Sequence, residues 1–186
     1  ATKIDPETDT ITLDSQAQSL LNQRTYIKYY KPRGIVTHSP QAGEKAIQDM
    51  IDSSMSHYAP IGRLDKDSEG LILLSDDGVF AKKCLQHTQP FSREYEVDVS
   101  KPLTADMKEK CEQGLTLFGQ KTKPCQIQVL TPRRYRFTMI EGKNRQIRRM
   151  IQKVGSGVTR LKRVRFGPIH VEHLEPNQWE SIKKFT

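Results

Sequence analysis

Apolar residues recur along the chain at two spacings, every second position and every third or fourth, and the two kinds of stretch follow no strict order. "REYEVDVS" and "RYRFTMI" have the alternation of half-buried strands, and "GLILLS", "CQIQVL" and "VTRLKRVRF" also read as strands. "TYIKYY" (25–30), rich in aromatic and β-branched residues, predicts a further strand. "KPRG" follows it as a turn, with Pro32 fixing the backbone and Gly34 free to take positive φ. Helical spacing marks "EKAIQDMI" (44–51), "GVFAKKCLQ" (78–86) and "TADMKEKCEQG" (104–114), the last with Thr104 as N-cap and Gly114 as stop. In "NRQIRRMIQKV" (144–154) Ile147, Met150, Ile151 and Val154 share one helical face, leaving Arg145, Arg148 and Arg149 for the others. "PNQWESIKKF" predicts a short final helix, and "DTITLDSQ" (9–16) an isolated strand in polar surroundings, the tail of something larger. Intermingled strands and helices without strict alternation predict an α+β fold, a mixed and largely antiparallel central sheet flanked by helices.

Composition changes this picture little until charge is considered. At 186 residues, with 35% hydrophobic and 28% charged residues, the chain is an ordinary globular one with room for its own core. Its longest apolar run, "LILL" (71–74), is too short to cross a bilayer, so no membrane partner is expected. The polar, acidic N-terminus is neither a signal nor a transit peptide, and the missing initiator Met suggests a trimmed chain. Cys84, Cys111 and Cys125, odd in number and without a CxxC pair, read as reduced thiols of a cytoplasmic protein. The net charge of +8 is unevenly spread: nine Lys or Arg and no acid lie from Lys143 to Arg165. Such a one-sided basic block in a folded segment is the electrostatic footprint of a nucleic-acid partner.

Chemistry narrows the field further. Without a phosphate loop or a GxGxxG, no nucleotide cofactor is expected; "HVEH" (170–173) lacks a third ligand nearby, so no metal is expected either. No GxSxG elbow presents a serine nucleophile. Asp65 in "YAPIGRLDKDSEGLILLSDDG" reads by itself as part of a solvated turn between strands, and its charged neighbours raise the question of whether it carries a reaction. A carboxylate can attack an electron-poor carbon, or act as a base, only while ionised, and desolvation would neutralise it unless a cation stands close. Arginine suits that duty because it stays charged and pairs bidentately with carboxylates. Arg63 stands two positions away and an Arg-rich helix begins near 144. One carboxylate held by an arginine inside a closed cavity, beside a basic groove, suggests chemistry on the nucleic acid.

"KPRG", "PIGRLDKDSEGLILLSDDG", "REYEV" and "EGKNRQIRRM", in this order and spacing, closely resemble the RsuA-type ribosomal pseudouridine synthases, and "RLKRVRFGPI" and "PNQWESI" fit as well. The resemblance runs from Tyr26 to Thr186 and implies a pseudouridine synthase fold over 25–186, with 1–24 the tail of an N-terminal RNA-binding module. It implies Asp65 as the catalytic aspartate, Tyr95 stacking on the uracil and helping to remove its carbon-5 proton, and Arg148 pairing with Asp65. Arg145 is a competitor for that pairing which the sequence does not separate from Arg148. Arg63 is expected beside the flipped nucleotide and Leu161 in the base pocket. Phosphate contacts are expected from Lys31, Arg33, Lys143, Arg145 and Arg149, with Asn144 and Gln146 in the same RNA-binding set. The implied partner is RNA, ribosomal (the large subunit preferred) or transfer, and no cofactor is implied; a monomer is expected, though no motif encodes the oligomeric state. Two departures from the family pattern, Tyr30 where many relatives have Asn and Arg93 where they have Lys, are minor. Two rival readings are a glycoside hydrolase or nucleosidase working with two carboxylates, and a non-catalytic RNA-binding or ribosome assembly factor.

Overall fold

The computed structural model describes residues 24–86 and 90–185, and the strand expected at 9–16 lies outside them. The fold is α+β. Its elements in chain order are β1 (Tyr26–Lys31), β2 (Ala59–Ile61), β3 (Glu69–Ser75), α1 (Gly78–Leu85), β4 (Arg93–Val99) and α2 (Ala105–Gln113). They continue with β5 (Thr116–Leu117), β6 (Gln120–Lys121), β7 (Gln126–Thr131), β8 (Arg134–Met139), α3 (Gln146–Lys153), β9 (Val158–Phe166), β10 (Ile169–His170) and β11 (Trp179–Ile182). A nine-stranded sheet runs β11-β1-β3-β9-β4-β8-β7, with β10 beside β9 and β2 beside β3, while β5 and β6 form a separate hairpin. Along that path the neighbours are antiparallel except β3 and β9, which run parallel and register Glu69 with Lys162 and Gly70 with Arg163.

The burial pattern explains why the apolar run of β3 is continuous. Ile72 and Leu74 enter one core with Tyr29, Val97, Phe137, Met150 and Ile151, whereas Leu71 and Leu73 enter a second with Tyr26, Tyr30, Phe80 and Cys84. A strand covered on both faces has no polar side to alternate with. At the other end of the sheet the alternation returns. Tyr95, Val97 and Val99 of β4 point into the core. The intervening acids make cross-strand pairs, Glu94 with Arg165 (2.8 Å), Glu96 with Arg136 (2.9 Å) and Asp98 with Arg134 (2.6 Å). The three cysteines are free and buried, and burial pushes their thiols up, to about 11 for Cys84 and Cys111 and about 12 for Cys125.

Two expected helices are not there. "EKAIQDMI" makes a single 3₁₀ turn, Ile47–Asp49, because Ala46 is still extended in a bridge to Val36, and the Asp49 carboxylate then captures the Ala46 N–H (2.7 Å). "PNQWESIKKF" supplies β11, whose Ile182, Ser181, Glu180 and Trp179 register with Tyr26 to Tyr29 and cover the edge of β1. An open sheet edge decides the conformation of such a segment more strongly than its own propensity. The helix expected at 104–114 forms as α2, with the Thr104 hydroxyl accepting from the Met107 N–H (3.3 Å) and Gly114 at φ +88° ending it.

Candidate active site

The loop between β2 and β3 is pinned before it reaches its carboxylate. Thr37 donates its hydroxyl to the Leu64 carbonyl (2.8 Å) and accepts the Leu64 N–H (3.0 Å), clamping the residue ahead of Asp65. The Gly34 N–H reaches the Lys66 carbonyl (2.7 Å), and the Ser68 N–H closes a turn on the Asp65 carbonyl (3.0 Å). The "KPRG" segment is therefore a brace behind this loop. Lys31 lies inside the brace, fully buried, its ammonium donating to the carbonyls of Pro32 (2.9 Å) and Ile35 (2.5 Å). Burial pulls its pKa down to about 8, against the opposing pull of Asp65, Asp67 and Glu69. A lysine so enclosed does not reach a phosphate, and the expected RNA contact from Lys31 is corrected accordingly.

Asp65 opens into a cleft of about 520 Å³, also lined by Arg63, Tyr95, Arg145, Arg148, Leu161 and the buried Arg163. That volume suits a small-molecule-sized guest such as a single nucleotide. The Asp65 side chain is 32% exposed, so the cleft is open and not the closed cavity expected. Arg145 stands nearest to it, Nη1 at 3.7 Å from Asp65 Oδ2. The same guanidinium holds Asp67 bidentately (2.9 and 2.8 Å). Arg148 binds the next stretch of the loop, donating from Nη2 to the Asp67 carbonyl (2.8 Å) and the Ser68 hydroxyl (3.3 Å), with Nε at 3.3 Å from Asp67 Oδ2. The expected pairing of Arg148 with Asp65 is thus corrected: Arg145 faces Asp65, and Arg148 anchors Asp67 and Ser68. The physical reason lies in the backbone, since Arg145 caps α3 with a left-handed φ of +50°, which swings its side chain across the loop. Non-glycine residues adopt that region at a cost, and functional sites are where such strain is retained.

Asp67 is a residue the sequence reading left outside the site. Arg145 above all, against burial and with Arg148 assisting, holds its carboxyl below the ordinary range. Engaged by two arginines, it anchors the loop that carries Asp65.

Tyr95 is aimed by an irregularity in the sheet. Between Glu94 and Tyr95 the register of β4 against β9 jumps from Arg165 to Arg163, skipping Val164, so β9 bulges opposite the tyrosine. Bulges near active sites commonly re-aim a side chain in this way. Tyr95 is 8% exposed and directly opposite Arg163, a second residue the sequence reading missed. Arg163 is fully buried; its Nε donates to the Leu71 carbonyl (2.6 Å), and its guanidinium lies against the Tyr95 hydroxyl. Its Nη2 is buried without a hydrogen-bond partner, and burial pulls its pKa below the usual arginine value. Leu161, buried two residues earlier on β9, supplies apolar wall.

The remaining expected RNA contacts divide. Arg63 is exposed at the cleft, and Arg33 is exposed outside it, reaching the Thr159 carbonyl (3.4 Å). Lys143 and Asn144 line the cleft, and Arg149 bonds the Asn144 carbonyl (3.2 Å) and side-chain oxygen (3.1 Å). Gln146 is buried, donating to Glu141 (2.6 Å) and accepting the Lys143 N–H (2.9 Å). Both ends of its amide are satisfied by the protein, so Gln146 shapes the entry to α3 and its expected RNA contact is corrected.

Comparison with known proteins points one way. Residues 25–153 match the family model described as RNA pseudouridylate synthase. The dual-specificity RNA pseudouridine synthase RluF of Escherichia coli K12 is 35% identical over 152 residues, which are 82% of this chain and 52% of that one. The ribosomal small subunit pseudouridine synthase A of Yersinia pestis is 30% identical, over 98% of this chain and 79% of its own. A crystal structure of a pseudouridylate synthase superposes with a TM-score of 0.81 at 27% identity, covering 87% of this chain and 71% of that one. The chain spans about half the length of the RluF relatives it matches.

Proposed function

The chain belongs to the RNA pseudouridylate synthase family, and from that premise we propose that it isomerises a uridine in RNA to pseudouridine with Asp65 as the essential carboxylate. One observation carries this reading: the carboxylate of Asp65, the ring of Tyr95 and the apolar side chain of Leu161 line one open cleft together with Arg145 and Arg148. Residues 25–186 serve as the catalytic unit. The reaction breaks the bond between the sugar carbon C1′ and N1 of uracil, turns the base, and joins C1′ to carbon 5. The proton leaves carbon 5 and N1 gains one, so atoms and electrons balance without an external group. Extruding the uridine costs roughly a few kcal/mol, least from a loop or bulge. Tyr95 and Leu161 then face the base, and Asp65, with Arg145 beside it, faces the sugar carbon. Arg148 holds the loop that carries the carboxylate, and Arg163 stands opposite Tyr95 on the neighbouring strand. The substrate class is ribosomal RNA, with the large subunit preferred.

Product analysis tests this reading. A ribosomal RNA fragment incubated with the protein and digested to nucleosides is expected to yield the carbon-linked isomer of uridine. Free uracil in its place would make the protein a nucleosidase, and unchanged uridine would leave it a binding protein.

A further inference from the structure

The basic block from Lys143 to Arg165 is less free than its composition implies. Arg145 and Arg148 bind Asp67, Arg160 binds Glu69, Arg165 binds Glu94, and Arg163 is buried. Three of the remaining cations gather at one place and bond neutral acceptors of, or next to, the β5–β6 hairpin. Lys153 reaches the Thr116 carbonyl (2.7 Å), Lys143 the Gln120 side chain (3.4 Å) and Lys121 carbonyl (3.5 Å), and Arg149 the Asn144 carbonyl (3.2 Å). Above them stands Phe118, 73% exposed, with the Arg149 guanidinium 4.2 Å from its ring centroid.

Apart from its contact with Arg149, Phe118 stands outside both hydrophobic cores. It is the first residue of a two-residue turn between Leu117 and Gln120, and both Phe118 (φ +53°) and Gly119 (φ +75°) are left-handed. Asn-Gly fits such a turn, and a bulky ring there adds strain without burying apolar area in a core. A shallow groove of about 260 Å³ opens between the ring, Arg149, Gln152 and Lys153. An exposed aromatic ring beside cations is how proteins stack an unpaired base while holding its phosphate, and the stack tolerates any sequence because every base has a π-face. Arg149 also bonds the carbonyl and side-chain oxygen of Asn144, a residue that lines the cleft, so one side chain links the groove to the rim of the cleft.

We infer that Phe118 and Arg149 form a second RNA subsite, on which an unpaired nucleotide flanking the target uridine stacks. The inference rests on RNA being the substrate. It is tested by equilibrium binding, using a labelled RNA stem-loop with single-stranded flanks and the same stem-loop with abasic flanks. Phe118→Asn is expected to weaken binding to the first RNA about tenfold, the loss typical of one stacked base, and to leave binding to the abasic RNA unchanged. Phe118→Trp is expected to restore the affinity. Thermal unfolding of Phe118→Asn at or above the wild-type temperature confirms that the turn is intact. Equal affinity of wild type and Phe118→Asn for the intact RNA overturns the inference, as does an equal loss on both RNAs. Binding is read without turnover. A protein that stacks RNA this way yet converts no uridine therefore contradicts the reaction above and supports the subsite.

Discussion

At Gly70 the fold has room for one hydrogen and no more. A Cβ there would lie 2.3 Å from the Arg163 carbonyl oxygen, and the backbone holds φ at +102°. The parallel seam between β3 and β9 closes at this point, bringing the Asp65 loop against the strand that bears Leu161 and Arg163. Gly70→Ala is therefore expected to destabilise the protein by more than about 1 kcal/mol in urea unfolding, and a neutral result would contradict the tight seam. The sequence placed Gly70 at the start of the strand "GLILLS" but held no sign of its partner, which lies far along the chain. The same is true of Asp65. The motif "GRLD" drew attention to the residue that lines the cleft, whereas the choice of Arg145 over Arg148 as its neighbour depended on a left-handed cap that residue types do not announce. Lys31 and Gln146 were misjudged for a related reason, since a polar side chain looks the same in sequence whether it faces solvent or is enclosed.

Helix α1 shows what one cap contributes at the scale of an element. Asp77 accepts the Phe80 N–H (2.9 Å), the Tyr26 hydroxyl (2.8 Å) and the Lys184 ammonium (3.1 Å). Burial alone would raise its carboxyl, but these donors outweigh it and hold the pKa at about 2, below the usual 3.8. A folded-state value below the unfolded one gives stability that is present above pH 3.8 and lost as pH falls through about 2. Asn keeps the cap but not the charge, so Asp77→Asn is expected to cost about 2 kcal/mol at pH 6, a gap that narrows by pH 3. A gap independent of pH in urea titrations would contradict this. Long periodic stretches such as α2, α3, β4 and β8 were legible because two or more turns or alternations fix the period. The segments at 44–51 and 176–185 were too short for their own pattern to prevail over an open sheet edge or a bridge. The β5–β6 hairpin, with two residues a strand, has no period to read at all.

For the whole molecule, the net charge of +8 pointed to a polyanion, but position decides which cations are free to meet one. Acids distant in sequence neutralise much of the basic block and turn it into scaffolding for the cleft, leaving Lys162 over the Tyr30 ring, and Lys143, Arg149 and Lys153 around the hairpin that carries Phe118. Among the described residues no helix is long and apolar enough to cross a membrane. The account as a whole depends on Asp65 acting on a uridine that the cleft receives from RNA. RNA labelled with tritium at carbon 5 of uridine reports this directly, because forming the new bond releases that hydrogen to water. Wild type is expected to release tritium, and Asp65→Asn none, while both bind the RNA with nearly equal affinity. Equal release by the two proteins would contradict the account.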